Sequence, residues 1–523
     1  MRARDIILAV SLALALIAPP AFLRPMQTPD EGRYAEVARE TLAAGNWLTP
    51  TLNGQPHLTK SPVYTDLVAM VFKIFGASTF TSRLVSIAAF VGLLVFSMLW
   101  AQKHGGPAAG RLSALVSLTM FYPIMAAQFG DLNMLFSALV AIGLALLGSW
   151  ILNDGKAAWL GAWIALGLAG AVKGPPVVGM LLGTLLIYRL LGGRPFGKKA
   201  GWWALGAAIM IGIGVSWYAW IVGVNGAERM KAFWFEKALE RTSLNEDSKP
   251  LYYHFFYLPV FLVLSSGWGV CMLQLWARAI KARRSSATQE SASLQSAIRN
   301  PQSAILGSLR SLPASEQWLL AWLAATLLLF SIMRAHMLSY IQPAYHAAAL
   351  LLALYGARRA ARPGLMKLYK GWAVAGLTAT VLATFGAAAF LGIATLQGNL
   401  KAGKYVEHGV IARTMASFPR QDWDLIQCDR YSPTFSFLTK RISILCDHQI
   451  HKQWPMPPEL SLDRRDLRRR LESGKPAMVV VRRKDAKKFF PEPVAGVRAL
   501  AQGDDLMLLT NMPEPAKPQS ERQ

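Results

Sequence analysis

An acidic pair, with a basic residue two positions after it, lies in the segment that follows the first apolar run. Asp30 and Glu31 precede Arg33, and the apolar run itself extends from Ile6 to Leu23. A carboxylate held near a hydroxyl group can remove its proton as a general base. Acids at a helix start also interact favourably with the helix dipole, so the charges alone support a catalytic and a structural interpretation about equally.

A second acid, Asp131, lies between two apolar segments in the stretch AAQFGDLNMLF. An ionisable residue beside membrane-spanning segments is costly unless it faces water or a partner, so Asp131 predicts a functional site. The alternative is that Asp131 caps the helix that follows it. If Asp30 and Asp131 lie near the same membrane face, their carboxylates suit a base directed at a hydroxyl group.

Basic residues near that predicted membrane face are candidates to bind the phosphate groups of a lipid-linked donor. They are Arg33, Lys60, Lys173, Arg241, Arg334 and His336. Binding to lipid headgroups, or snorkelling towards them, is the alternative for each residue, and it is favoured for Lys173 and Arg334. No cofactor is predicted with certainty, and a divalent metal held by His57 or His336 with the acids stays open.

The elements that must position these residues are predicted to be membrane helices. Hydrophobic residues make up 53% of the 523-residue chain and charged residues only 16%, against about 25% charged residues in ordinary soluble proteins. Apolar runs of spanning length recur, which excludes a disordered chain and disfavours a single soluble domain. The predicted spans are residues 6–23, 80–101, 112–128, 132–151, 157–172, 175–190, 201–222, 251–276, 316–333, 338–357 and 371–394.

The distribution of charge predicts which side of the membrane each loop occupies. The formal net charge of +25 comes from 55 basic and 30 acidic residues, and the predicted inner loops hold many of the basic ones. This excess is first a topology signal, so no nucleic acid partner is predicted. The positive start places the N-terminus in the cytoplasm. Loop 24–61, with the acidic pair, then lies on the outer side.

The composition changes after about residue 395, where spanning runs end. Short apolar stretches at Asp424–Cys428, Ile442–Cys446 and Ala477–Val481 predict strands, and residues 467–471 have helical spacing. We predict a small α/β domain over residues 395–512, outside the cytoplasm, and a disordered tail over 513–523. Cys428 and Cys446 each end a predicted strand. They form either a disulfide or two buried thiols, with the thiols slightly favoured.

The motifs of the first outer loop resemble those of a known family. The run TPDEGRYAEVARETLAAGNWLTPTLNGQPHLTKSPV is similar to the start of the family 39, GT-C-type membrane glycosyltransferases, which include lipid A aminoarabinose transferases and protein O-mannosyltransferases. Later stretches resemble further family segments in the same order. They are KIFGASTFTSRLVS, AGAVKGPP, FEKALERTSLNEDSKPLYYHFFYLP and SIMRAHMLSYIQPAYHAAALL, which together extend the likeness over roughly residues 25–355.

The resemblance implies a GT-C fold with about 11–13 transmembrane helices in residues 1–394. It implies an inverting glycosyltransferase of the inner membrane that moves a sugar from a polyprenyl phosphate donor to a lipid, glycan or protein acceptor, with the active site and the C-terminal domain in the periplasm. Carried over by position, Asp30 is the base, Glu31 orients or tunes it, and Asp131 is the second acid. Residues at the donor phosphate positions are Arg33, Lys60 and Arg241. Thr59, His57 and the His336–Leu338 segment depart from the family pattern, so the sugar and the acceptor stay open.

Two other classes of protein stay open as alternatives. A transporter or lipid flippase predicts ionisable residues near the middle of spans and paired broken helices, whereas the acids here lie at the outer ends of the spans. A membrane scaffold that binds glycan without turnover is the third class. The position of the acids favours the enzyme.

Overall fold

The architecture comes from a computed structural model of the chain. It describes residues 1–27, 29–196, 200–231, 234, 256–275, 277, 307, 309–332, 337–361, 363–418, 423–448 and 456–513. The chain divides into two compact units. The first comprises residues 1–19, 86–128 and 132–384, and the second comprises residues 20–85, 129–131 and 385–523. Arg241, His336 and the predicted tail beyond Pro513 lie outside the described residues.

The first unit is built from apolar helices, because backbone groups in lipid find their hydrogen-bond partners most simply within a helix. The helices that contribute to it, in whole or in part, are α1 (Ala3–Leu23), α4 (Leu84–Thr119), α5 (Phe121–Ala126), α6 (Leu132–Asn153), α7 (Lys156–Lys173), α8 (Pro176–Leu190), α9 (Ala200–Asn225), α10 (Tyr257–Leu264), α11 (Trp268–Leu275), α12 (Ala314–Ile332), α13 (Gln342–Arg358) and α14 (Pro363–Leu396). Large aromatic side chains fill its interior, among them Trp268, Trp318 and Tyr345.

Six helices of the described chain are long and apolar enough to cross a membrane, or seven if a bent pair counts as one span. They are α1, the helix over residues 81–119, α6, α9, α12 and α14. The other predicted spans at 157–172, 175–190 and 338–357 are helical as α7, α8 and α13, which have 15 to 18 residues. The mostly helical membrane architecture predicted from the sequence is therefore confirmed.

Two spans differ from the prediction in detail. The expected loop between residues 101 and 112 is shorter than predicted, because helical residues reach Gly106 from both sides and α4 consists of two helices that meet at this non-helical glycine (φ 78°). Pro107 follows the kink, and proline is well suited to begin a new helical turn. The span predicted at 251–276 is broken where it is described, because α10 and α11 meet at an angle of 106°. Ser266 and Gly267 have positive φ at this bend and end the first helix.

A largely buried helix and a tight hairpin follow each other in the first part of the second unit. Helix α2 (Asp30–Ala44) ends at Gly45, whose left-handed conformation (φ 72°) closes the helix. Strands β1 (Thr51–Leu52) and β2 (Gln55–Pro56) are joined by Asn53 and Gly54, both at positive φ, as a two-residue hairpin turn requires.

Two polar side chains hold this hairpin in place. The carboxylate of Glu40 accepts hydrogen bonds from the Thr51 hydroxyl (2.6 Å) and from the backbone N–H groups of Asn53 (2.6 Å) and Gly54 (3.1 Å). The buried Asn53 side chain accepts from the backbone N–H of Ser443 (2.7 Å) and donates to the carbonyl of the same residue (2.8 Å). The first outer loop is thereby fixed to the first residue of strand β4 (Ser443–Cys446).

The rest of the second unit includes helix α3 (Val63–Phe75), which covers the short apolar segment 62–75, and a six-stranded mixed sheet. The strands are β3 (Asp424–Cys428), β4, β5 (Ser461–Leu462), β6 (Ala477–Arg482), β7 (Arg498–Gln502) and β8 (Leu506–Thr510), in the spatial order β5-β4-β3-β6-β8-β7. Strand β3 is parallel to both neighbours, β4 and β6, while β8 is antiparallel to β6.

Helices pack around this sheet over two apolar layers. They are α15 (Lys404–Ala416), α16 (Pro433–Thr439), α17 (Arg464–Glu472) and α18 (Ala486–Phe489). The predicted α/β domain and its three predicted strands are confirmed, with β4 beginning one residue later than expected and β6 ending one residue later. Cys428 and Cys446 are register partners on β3 and β4, and both are free, buried thiols.

Candidate active site

Asp30 is the first residue of α2 and keeps 45% of its side chain exposed. The helix places Arg33 three residues later on the same face, and the Arg33 guanidinium donates a hydrogen bond to Asp30 Oδ1 at 2.5 Å. Arg33 also lies over the ring of Tyr34, with Cζ 5.2 Å from the ring centroid. A half-exposed carboxylate beside a cation thus lies at the start of the helix.

Glu31 is in contrast fully enclosed, with 2% of its surface exposed. Its carboxylate accepts hydrogen bonds from Arg83 Nε (2.6 Å) and Arg83 Nη2 (2.8 Å), and from the backbone N–H groups of Gln27 (2.7 Å) and Gly130 (2.8 Å). Burial by itself raises the pKa of Glu31, but the charge and hydrogen bonds of Arg83 outweigh it and hold the pKa below its usual value. Glu31 is therefore a buried carboxylate with its hydrogen-bonding capacity largely used within the protein.

Arg83 is the partner that sequence reasoning missed. It closes the 3₁₀ turn Thr81–Arg83, has no exposed surface and donates further hydrogen bonds to the backbone carbonyls of Ala21, Arg24 (2.9 Å) and Pro25 (3.1 Å). Its guanidinium thus joins the chain at the end of α1 to the start of α2. The arginine in the stretch FTSRLVS was visible as part of the family resemblance, but its partner is 52 residues away along the chain.

Asp131 lies near the acidic pair, because the backbone N–H of its neighbour Gly130 donates a hydrogen bond to the Glu31 carboxylate. Burial is the main cause that raises the pKa of Tyr34 to about 12, and the charges of Asp30 and Asp131 raise it further while Arg33 opposes them. Both carboxylates thus contribute to the raised pKa of this buried tyrosine. Asp131 also directly precedes α6, a position that fits the alternative role of a helix cap.

A second buried cation, Arg24, adds to the positive charge of this cluster. Its guanidinium lies 3.6 Å from the centroid of the Phe129 ring. Burial and the nearby charge of Arg83 lower the pKa of Arg24 to about 9, although Glu31 and Asp131 oppose the shift. The pair of cations, Arg24 and Arg83, lies beside the acids that the sequence singled out.

The remaining predicted residues are only partly placed. Lys60 is half-buried and lies four residues after the β1–β2 hairpin, which Glu40 holds. His57 is buried, with Nε2 3.2 Å from the Thr59 hydroxyl. Within the described ranges, no group of three or more His, Cys, Asp or Glu side chains is arranged to hold a metal. The roles given to Asp30, Glu31, Asp131, Arg33, Lys60 and Arg241 stay predictions.

Curated relatives share the sequence over much of its length. The undecaprenyl phosphate-alpha-4-amino-4-deoxy-L-arabinose arabinosyl transferase 2 of Pseudomonas fluorescens is 24% identical over 62% of this chain and 51% of its own length. A transferase of the same name, numbered 1, from Sodalis glossinidius is 27% identical over 67% of this chain and 58% of its own length. That of an Enterobacter species is 26% identical over 81% of this chain and 70% of its own. The chain therefore matches only about half to three fifths of the first two relatives.

Solved structures extend the likeness to nearly the whole chain. The crystal structure of ArnT from Cupriavidus metallidurans bound to undecaprenyl phosphate superposes with a TM-score of 0.73 at 19% identity, covering 98% of this chain and 99% of that one. Its apo form superposes with a TM-score of 0.72. No family model matches the sequence. The chain thus has the GT-C fold of the ArnT structures, and over much of its length its sequence is similar to the aminoarabinose transferases named above.

Proposed function

We propose that this protein is an integral membrane glycosyltransferase that moves a sugar from a polyprenyl phosphate donor to an acceptor hydroxyl or phosphate. The proposal is carried by the hydrogen bond from the Gly130 N–H to Glu31, because it brings the neighbouring acids Asp131 and Asp30 close together, with Arg33 bonded to Asp30, in a chain of ArnT fold. The relatives are named for an undecaprenyl phosphate-linked sugar, and one ArnT structure is bound to undecaprenyl phosphate. The donor proposed here belongs to that class of lipid.

We propose that the reaction is a direct displacement. Asp30 removes the acceptor proton as the acceptor oxygen attacks the anomeric carbon, and general-base help of this kind contributes about 10²–10⁴-fold to the rate. The departing lipid phosphate gains negative charge, which Arg33, Lys60 and Arg241 offset. A single displacement inverts the anomeric centre, and no nucleotide is required.

The two adjacent acids have different proposed roles. Asp30 is nearly half exposed and meets the acceptor, whereas Glu31 accepts four hydrogen bonds within the protein. Glu31 is consequently a positioning residue, which fixes the start of α2 against Gly130 and so sets Asp30 relative to Asp131. Of these two adjacent acids, Asp30 is the one with the access that a base needs.

Removal of the gene product tests the function directly. We expect mass spectrometry of envelope lipids, glycans and glycoproteins to show one sugar-bearing species that is lost without the protein and restored by the wild-type chain. The purified protein in proteoliposomes should form the same species when a polyprenyl phosphate sugar is supplied as the donor. Its persistence in cells without the protein, with no transfer in proteoliposomes, would contradict the proposal. Movement of the donor across the bilayer without transfer would instead identify a transporter.

The chain is a multi-span membrane protein of the ArnT type, and we propose that its active site and C-terminal domain face the periplasm. The basic inner loops support this orientation through the positive-inside rule. Alkaline phosphatase fused after Thr510 should therefore be active, and green fluorescent protein at the same position should not fluoresce. The opposite pair of results would reverse the orientation.

A further inference from the structure

A cavity of about 70 Å³ lies within the second unit, at the carboxyl ends of β3 and β6. The chain continues from β3 to β4 on one side, and β6 lies on the other, so the cavity is at a point where the order of parallel strands reverses. Open α/β sheets commonly bind ligands at such a point. About 10–15 Å³ of such space holds one water molecule, so this cavity has room for a group of the size of a phosphate or carboxylate.

The wall of the cavity carries excess positive charge. Lys404 on α15 and Arg430 after β3 have no acidic partner within ion-pair distance among the described residues. Arg482 at the end of β6 is already balanced by Asp429 and Asp485. One acid, Asp505, opposes the two unpaired cations, so the cavity favours an anion.

Three uncharged groups of the wall suit a sugar. His408 has Nδ1 2.8 Å from the carbonyl of Lys404, which assigns the proton to Nδ1 and leaves Nε2 as a hydrogen-bond acceptor. Its ring stacks on Phe435 at 4.9 Å between centroids. The Ser432 hydroxyl is buried and has no hydrogen-bond partner among the described residues. The cavity thus combines cations with a hydrogen-bond acceptor, a hydroxyl group and an aromatic side chain.

The cavity also adjoins the proposed base. Pro29 lines it, and the next residue is Asp30 at the start of α2. We propose that the cavity anchors an anionic saccharide, a sugar phosphate or a sugar acid, in the head group of the acceptor and so presents a neighbouring oxygen to Asp30. The assignment to the acceptor rests on the proposed function, whereas the binding of an anionic sugar does not.

Saturation-transfer NMR on the full-length protein in detergent tests the site with glucose 6-phosphate as the probe and glucose as its neutral counterpart. We expect glucose 6-phosphate to bind and glucose to bind much more weakly. The variant Lys404→Gln/Arg430→Gln should weaken binding at least ~10-fold, because it removes charge-assisted hydrogen bonds. Arg465→Gln/Lys487→Gln removes the same charge from exposed positions of the same unit outside the cavity wall and should leave binding unchanged.

Three results would overturn the proposal. They are equal binding of glucose 6-phosphate to all three proteins, its displacement by undecaprenyl phosphate, and its displacement by phosphatidylglycerol vesicles. The second would place the probe at the donor site, and the third would indicate a lipid headgroup as occupant. Failure of the proposed function appears separately, as absent sugar transfer by a protein that still binds glucose 6-phosphate through Lys404 and Arg430.

Discussion

Asp30→Asn is expected to lower sugar transfer by about 10²–10⁴-fold, the range that general-base catalysis contributes. The amide retains an oxygen that accepts the hydrogen bond from Arg33, which now lies 2.5 Å from Oδ1, so the start of α2 should keep its shape. Membrane insertion and donor binding should therefore remain. Initial rates in proteoliposomes, with donor binding measured in parallel, separate loss of chemistry from loss of structure.

The matched control is Asp5→Asn. Asp5 is also an acid in the first turn of a helix, and it pairs with Arg4 and Arg111 in the first unit. If Asp30 served only the helix dipole, both variants would lose about 0.3–1 kcal/mol of stability and neither would lose transfer. Transfer at the wild-type rate by Asp30→Asn would remove this residue from the mechanism.

Arg83→Met is expected to destabilise the protein by about 3–5 kcal/mol, the cost of leaving one partner of a buried ion pair uncompensated. Arg83 binds the Glu31 carboxylate through two nitrogen atoms and also serves three backbone carbonyls, all in the interior. A lower unfolding midpoint in detergent, measured by tryptophan fluorescence, checks this expectation. We also expect transfer to fall in the fraction that remains folded, since the start of α2 loses its anchor.

A double-mutant cycle separates positioning from bulk stability. Glu31→Gln and Arg83→Met should each destabilise the protein, and the combined variant should lose less than the sum of the two. The control pair is Glu36 and Arg39 on the same helix, whose side chains also meet at 2.7 Å. Among the described residues, Arg39 donates no hydrogen bond to a backbone carbonyl. Arg39→Met should therefore lower the free energy of unfolding by less than Arg83→Met does. Additive losses at Glu31 and Arg83, with unchanged transfer per folded molecule, would exclude the positioning role.

The elements that local sequence specifies were predictable. Apolar runs identified the helices, because a chain in lipid must satisfy its backbone groups within each segment. One helical turn brings Arg33 to Asp30, and the continuous apolar stretch ending at Cys428 identified β3. These features depend on neighbours a few residues apart.

Features that depend on distant partners were not predictable in the same way. The ion pair of Glu31 and Arg83 joins residues 52 positions apart, and a single sequence does not reveal which arginine meets which acid. The 106° bend between α10 and α11 was not predicted, because an apolar segment has the same composition whether its helix is broken or straight. Strands β7 and β8 pair antiparallel and lie beyond the parallel strands of the sheet. Each segment is short, and its alternation of apolar and polar residues was too weak to predict a strand.

The bond between the hairpin and the sheet has a consequence for protein engineering. Asn53 uses both atoms of its side-chain amide on the backbone of Ser443, so the segment that carries Lys60 takes its position from a strand nearly four hundred residues later. Chimaeras between this chain and its homologues should therefore exchange residues 24–61 together with the domain that begins near residue 395. If either segment is exchanged alone, the buried Asn53 side chain meets a foreign backbone at the position of Ser443, and its two hydrogen bonds are at risk.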